Sequence, residues 1–130
     1  MSEKQPIYRL RVCSQFSSSH QLRHYQGKCE ELHGHNFFVE AEVQGSSLHP
    51  DTHILIDFKE LKSKLNLILD SLDHTHLNDL PRFQVDNPSS ENLARYIFRE
   101  LEQALAEHEV SLNFVSVAEK ESSRAFYTEI

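Results

Sequence analysis

The chain has 130 residues, 38% of them hydrophobic and 25% charged, a composition suited to one globular domain over residues 1–130 and unlike disordered or fibrous chains. Its 13 basic and 20 acidic residues leave a net charge of −7, which argues against nucleic acid or an anionic membrane as partner, because both reward clustered Lys and Arg. No apolar run is long enough to span a membrane, the first residues lack a signal-peptide core, and Cys13 and Cys29 are too few for a disulfide framework, so a cytoplasmic protein is expected.

Tyr8, Leu10, Val12, Ser14 and Phe16 alternate with Arg9, Arg11, Cys13 and Gln15, the pattern of a half-buried strand. The same alternation from Phe37 to Val43 sets Phe37, Val39, Ala41 and Val43 on one face. The period then changes: Phe58, Leu61, Leu65, Ile68, Leu69 and Leu72 recur at three- and four-residue steps, predicting an amphipathic helix. Asp57 is its expected N-cap, with Glu60 placed to complete a capping box. A second helix starts near Ser89 or Ser90 and runs through Leu105, and two strands, from Leu112 to Glu119 and from Arg124 to Thr128, close the chain. Strands and helices segregated in this way predict an α+β fold with an antiparallel sheet.

Nine histidines against three glycines is the unusual count, and six of them fall in two clusters: His20, His24, His33 and His35, then His74 and His76. Residues two apart on a strand share a side, so His33 and His35 continue the face of Phe37 and Val39, and His20 continues that of Phe16. Three imidazoles on the interior side of neighbouring strands suit Zn²⁺ with one open coordination position, the catalytic pattern. His24, His49, His53 and His108 read instead as ordinary hydrogen-bonded imidazoles. Cys29 precedes His33 by four residues, and its thiol is read as an acidified base or nucleophile, as a further zinc ligand, or as inert. Asp73-His74 ends the first helix as either a carboxylate–imidazole pair or a cationic side chain at a helix C-terminus. Glu119 follows Val115 and Val117 in phase, so its carboxylate must be paired, bind a ligand with parallel N–H donors, or turn to water.

These pieces, in this order, resemble the 6-pyruvoyltetrahydropterin synthase/6-carboxytetrahydropterin synthase family. The matching residues are Phe16 to His20, Cys29 with His33-Gly34-His35-Asn36, Ile56-Asp57-Phe58, Leu72-Asp73-His74 with Leu77-Asn78, Asn87 to Ala94, and Val117-Ala118-Glu119. The resemblance implies the tunnelling fold, a four-stranded antiparallel sheet with two helices whose sheets close into a barrel in trimers that stack as a hexamer. It implies zinc on His20, His33 and His35, Cys29 as proton-abstracting base, and Asp73 and His74 as the relay acid/base. Glu119 would anchor the pterin, and Ser89 or Ser90 would contribute hydroxyls from a neighbouring subunit. The implied substrate is 7,8-dihydroneopterin triphosphate. The compact length is similar to the queuosine branch, which yields 6-carboxy-5,6,7,8-tetrahydropterin and acetaldehyde. The tetrahydrobiopterin branch yields 6-pyruvoyltetrahydropterin, and a third branch, using a glutamate near Cys29, cleaves the side chain toward folate precursors; Glu30 and Glu31 keep that one open.

Two readings of other classes compete with this one. A non-catalytic module would bind zinc and pterin without turnover, against which stand Cys29 and Asp73-His74. A zinc hydrolase would make Cys29 dispensable, and the sequence offers no HExxH helix for it.

Overall fold

The structure, a computed structural model, describes residues 3–26 and 33–130, with His33 described by its backbone alone. Four strands, β1 (Tyr8–His20), β2 (His33–Gly45), β3 (Ser111–Lys120) and β4 (Ser123–Tyr127), form one antiparallel sheet in the order β1-β2-β3-β4. Two helices, α1 (Phe58–Asp70) and α2 (Ser90–Ala104), lie in the connection from β2 to β3. Among the described residues, no helix is long and apolar enough to cross a membrane.

Parity decides which side of the sheet is interior. In the β1–β2 register Phe16 stands opposite Phe37 and Val12 opposite Ala41, and opposed residues share a face. Phe37, Val39, Ala41 and Val43 are at most 1% exposed. The helices pack on that face. α1 contributes Leu61, Leu65 and Leu69, and α2 contributes Leu93, Ala94, Ile97, Phe98 and Leu101. These three- and four-residue spacings build continuous apolar stripes. Each leucine so buried contributes roughly 1.5–3 kcal/mol.

The opposite face is charged. Arg11 Nη2 lies 2.9 Å from Glu42 Oε1, Arg124 Nη1 lies 2.8 Å from Glu40 Oε1, and Asn113 Nδ2 donates to Glu42 Oε2 at 2.9 Å. Partial burial alone would raise the Glu42 pKa, but the Asn113 amide and the Arg11 guanidinium hold it below the usual carboxylate range. Cys13 sits on this face, exposed and with a free thiol, as its strand phase predicts.

Two predicted boundaries change. β1 continues through Ser17-Ser18-Ser19 to His20, because residues 33–36 pair with this polar run. α1 ends at Asp70, two residues before Leu72. The capping box also fails. Asp57 caps α1 by accepting from Lys59 N–H at 2.8 Å, whereas the Glu60 carboxylate lies 2.6 Å from His108 Nε2. The α2 cap is as expected, with the Ser89 hydroxyl accepting from Asn92 N–H at 3.1 Å.

Candidate metal centre and its flanking cavities

The register that stacks Phe16 on Phe37 (centroids 4.9 Å apart) also sets Ser18 opposite His35 and His20 opposite His33. The strand ends therefore carry the histidines predicted from parity. His20 is 1% exposed and packs edge-on against Phe37 at 5.1 Å and His35 at 5.7 Å. Its Nδ1 lies 2.7 Å from the Pro88 carbonyl oxygen, so Nδ1 carries the proton and donates. Nε2 faces the other way, 2.9 Å from Glu119 Oε1, while Glu119 Oε2 is 3.5 Å from His35 Nε2.

One ligand atom from each of His20, His35 and Glu119 falls within 4.8 Å of the others. Tetrahedral zinc with bonds of about 2.1 Å needs ligand–ligand edges of roughly 3.4 Å, which the 2.9 and 3.5 Å contacts bracket. A histidine whose Nδ1–H is fixed by a carbonyl is the usual oriented ligand, presenting Nε2 to the ion. The donor set therefore fits a transition-metal dication. Without one, burial alone would lower the His20 pKa, but the Glu119 hydrogen bond and the Pro88 carbonyl outweigh it and the net shift is upward. The His20 Nε2 atom thus faces the position a metal would take. The sequence assigned the third position to His33, whose side chain is not described. Glu119, which the resemblance made the pterin anchor, completes the group among the described residues.

Asp73 and His74 do touch. Asp73 Oδ2 lies 2.8 Å from His74 Nδ1, and Asp73 Oδ1 accepts from Ser17 N–H at 2.8 Å. The Ser17 N–H chiefly holds the Asp73 carboxyl below its usual range; slight desolvation opposes this and His74 supports it. His74 donates its backbone N–H to Ser17 O at 2.6 Å and adopts φ 54°, a left-handed conformation costly for a side chain other than glycine. Its ring is 83% exposed. The segment continues along the edge of β1: Ser19 N–H donates to Thr75 O at 3.0 Å, and Ser19 Oγ lies 2.9 Å from His76 Nδ1. His76 belongs to the second histidine cluster but had no role assigned from the sequence, and its approach to Ser19 depends on this edge docking.

Two asparagines in the matched motifs have structural work that sequence reading missed. Asn78 exchanges two hydrogen bonds with the backbone of Gln21, at 2.9 and 2.8 Å, and Asn87 does the same with Arg23. A side-chain amide imitates a peptide group in this way, and the two together fix the chain leaving His20. The Arg23 guanidinium donates to Phe83 O at 2.5 Å.

Two cavities flank the centre. One, of about 580 Å³, is lined by His35, Ser17, Ser19, Asn36, His74 and His76, among others. The other, of about 430 Å³, brings together Glu119, Ser89, Ser90, Leu22 and Arg124. Ser89 and Ser90 thus share a cavity with Glu119 within one chain. Cys29 lies outside the described residues, as do Glu30 and Glu31.

The family model described as 6-pyruvoyl tetrahydropterin synthase matches residues 9–130. The 6-carboxy-5,6,7,8-tetrahydropterin synthase of Synechocystis sp. is 40% identical over 93 residues, 68% of this chain and 70% of its own length. The 6-pyruvoyl tetrahydrobiopterin synthase of Dictyostelium discoideum is 32% identical over 124 residues, 86% of this chain and 89% of its own. The structure of Caenorhabditis elegans 6-pyruvoyl tetrahydropterin synthase superposes with a TM-score of 0.85 at 27% identity, covering 99% of this chain and 100% of that one.

Proposed function

The chain belongs to the 6-pyruvoyl tetrahydropterin synthase family, and from that premise we propose that it is a zinc-dependent 6-carboxy-5,6,7,8-tetrahydropterin synthase. It converts 7,8-dihydroneopterin triphosphate and water to 6-carboxytetrahydropterin, acetaldehyde and triphosphate, in the cytoplasm, as a single catalytic domain over residues 1–130. The observation that carries this reading is the convergence of His20, His35 and Glu119 at one end of the sheet, between two cavities. The carboxy product is favoured by the Synechocystis relative, the more similar of the two at 40% identity. The Dictyostelium relative at 32% supports the pyruvoyl product as the second reading.

His20, His35 and His33 would hold the zinc. When bound, zinc supplies Lewis acidity to the oxygens of the substrate side chain and so acidifies the adjoining C–H bonds. The two Glu119 oxygens would accept the parallel N–H donors of a pterin edge. Ser89, whose oxygen already accepts from Asn92 N–H, retains its hydroxyl proton for the same ring. Cys29 takes the proton from the substrate. His74 moves protons at Nε2, because Nδ1 is committed to Asp73. Asp73 stays ionised under the Ser17 N–H and orients that ring. The ring is reduced at the expense of its own side chain, so no external redox cofactor enters.

β1 and β4 are the outer strands of the sheet, and their edges suit closure into a trimeric barrel and a hexamer of two such trimers. Product identification tests the whole reading. Zinc-loaded protein and Cys29→Ala are incubated with the triphosphate, with sulfite to trap aldehyde. A carboxytetrahydropterin that disappears with Cys29→Ala is the expected result. A pyruvoyl or hydroxymethyl product moves the branch, and no turnover from zinc-replete hexamer leaves a binding module.

A further inference from the structure

We infer that the groove between α2 and residues 82–86 binds a phosphate monoester of a small hydroxylated molecule, a sugar phosphate in chemical class. This cavity, of about 320 Å³, shares no described residue with either cavity flanking the metal centre, and the inference does not depend on the pterin reading. Its first support is where the arginines stand. The chain has seven arginines and a net charge of −7, and three of the seven, Arg82, Arg95 and Arg99, line this one groove. Arg95 and Arg99 lie one turn apart on α2. Like charges so spaced weaken an isolated helix, so the stability of α2 gives no reason for them.

The second support is that the donors remain available. The Arg82 guanidinium lies over the ring of Tyr96, 3.9 Å from its centroid, and the buried Phe83 ring meets Tyr96 edge-on at 6.1 Å. This platform holds the charge in place through the π face and leaves the N–H groups unspent; among the described residues they have no hydrogen bond or ion pair. Arg95 is paired through Nη2 with Asp86 Oδ2 at 3.2 Å, and Arg99 through Nε with Glu129 Oε2 at 3.4 Å. That Glu129 oxygen also accepts from the Tyr127 hydroxyl at 2.6 Å. Exposed pairs of this kind are weak and yield to a dianion, and a guanidinium has further donors beyond one such contact.

The third support is the chemistry of the lining taken together. Guanidinium forks match pairs of phosphate oxygens, and a phosphate monoester presents three such oxygens where a carboxylate presents two in one plane. Asp86 and Glu100 also line the groove. Asp86 is taken by Arg95, whereas Glu100 has no hydrogen bond or ion pair among the described residues. An ionised carboxylate can only accept, so beside the arginines it suits a ligand that brings hydroxyl donors along with its anion. The volume lies at the small end of ligand cavities, which fits a metabolite and is too small for a peptide or a polynucleotide.

The test titrates the full-length chain with ribose 5-phosphate by calorimetry at roughly physiological salt. Arg82→Gln and Arg99→Gln, both at exposed positions, should each weaken binding roughly tenfold, as expected for losing a hydrogen bond to a charged group. Arg99→Lys keeps the charge without the fork and should fall between. Asp86→Asn frees Arg95 and should tighten binding several-fold. Asp51→Asn makes the same change in net charge outside the groove and should leave affinity within about twofold. Glu100→Ala should remove the preference for ribose 5-phosphate over inorganic phosphate. Natively folded arginine variants with unchanged affinity overturn the proposal, as does Asp51→Asn tightening binding as much as Asp86→Asn. Equal affinity of the unaltered chain for inorganic phosphate and ribose 5-phosphate overturns the sugar-phosphate class. If the variants misfold, the side-chain Nε–H resonances of Arg82, Arg95 and Arg99 in the unaltered protein decide: they must shift as ribose 5-phosphate is added, and stationary resonances overturn the proposal.

Discussion

A proton on His20 Nε2 and a metal would occupy the same place beside Glu119, so the two compete. Its folded pKa is raised above the ordinary 6.5 in the metal-free protein. The stability it contributes is therefore complete below that value and is lost as pH rises through the folded one. Metal affinity runs the opposite way, because the ion must displace the Nε2 proton. Melts in chelator should accordingly fall from pH 6 to 8, whereas the increment gained on adding zinc should grow over the same interval. Asp73 behaves in the reverse sense: its depressed pKa gives stability that is present above the usual 3.8 and is lost as pH drops through the folded value. Asp73→Asn should cost about 0.5–1 kcal/mol at pH 7 after allowing for solvent screening, with the difference closing in acid, while kcat falls far more than KM rises. The placing of His20 and His35 could be read from the sequence because strand parity is strict. The Asp73–His74 contact was one of two readings the sequence left open, because it depends on a left-handed backbone at residue 74 and on Ser17, far away in the chain.

The elements were legible wherever an apolar period marked them. Phe16 and Phe37 were placed on one face before any pairing was known, and the stripe from Leu93 to Leu101 named α2. What escaped was held by polar pairing. The run Ser17-Ser18-Ser19 has the composition of a loop, yet it is strand because residues 34–36 pair with it. Glu60 was placed in a capping box from spacing alone, but His108, distant in sequence, takes its carboxylate. Ser89→Ala should cost about 1 kcal/mol as a lost N-cap. Because Ser89 also lines the Glu119 cavity, the proposed pterin affinity should drop along with it, read by fluorescence titration. Ile97→Ala, in the fully buried stripe, should cost roughly 2–5 kcal/mol by denaturant unfolding and leave metal stoichiometry unchanged.

At the scale of the whole molecule, the sheet has one apolar face under two helices and one charged face that, among the described residues, carries no helix. Long outer strands invite pairing unless something occupies them. Closure of these edges between copies would line the enclosed space with the Arg11, Glu40, Glu42 and Arg124 network, whose charges are already matched within each chain. Light scattering should therefore give a mass that is a multiple of three chains. Activity per chain should fall on dilution past the dissociation point, before the far-ultraviolet dichroism of the sheet is lost. Sequence periodicity could not reveal this, because an edge strand and an interior strand share the same alternation.

The left-handed backbone of His74 makes the protein a poor subject for breeding by heat alone. Holding a residue other than glycine there costs about 1–2 kcal/mol, while the exposed Asp73 pairing returns little of it. His74→Gly should therefore raise the melting temperature by a few degrees while abolishing proton transfer. A population screened only for survival at high temperature would drift toward that change and become more robust by giving up its chemistry.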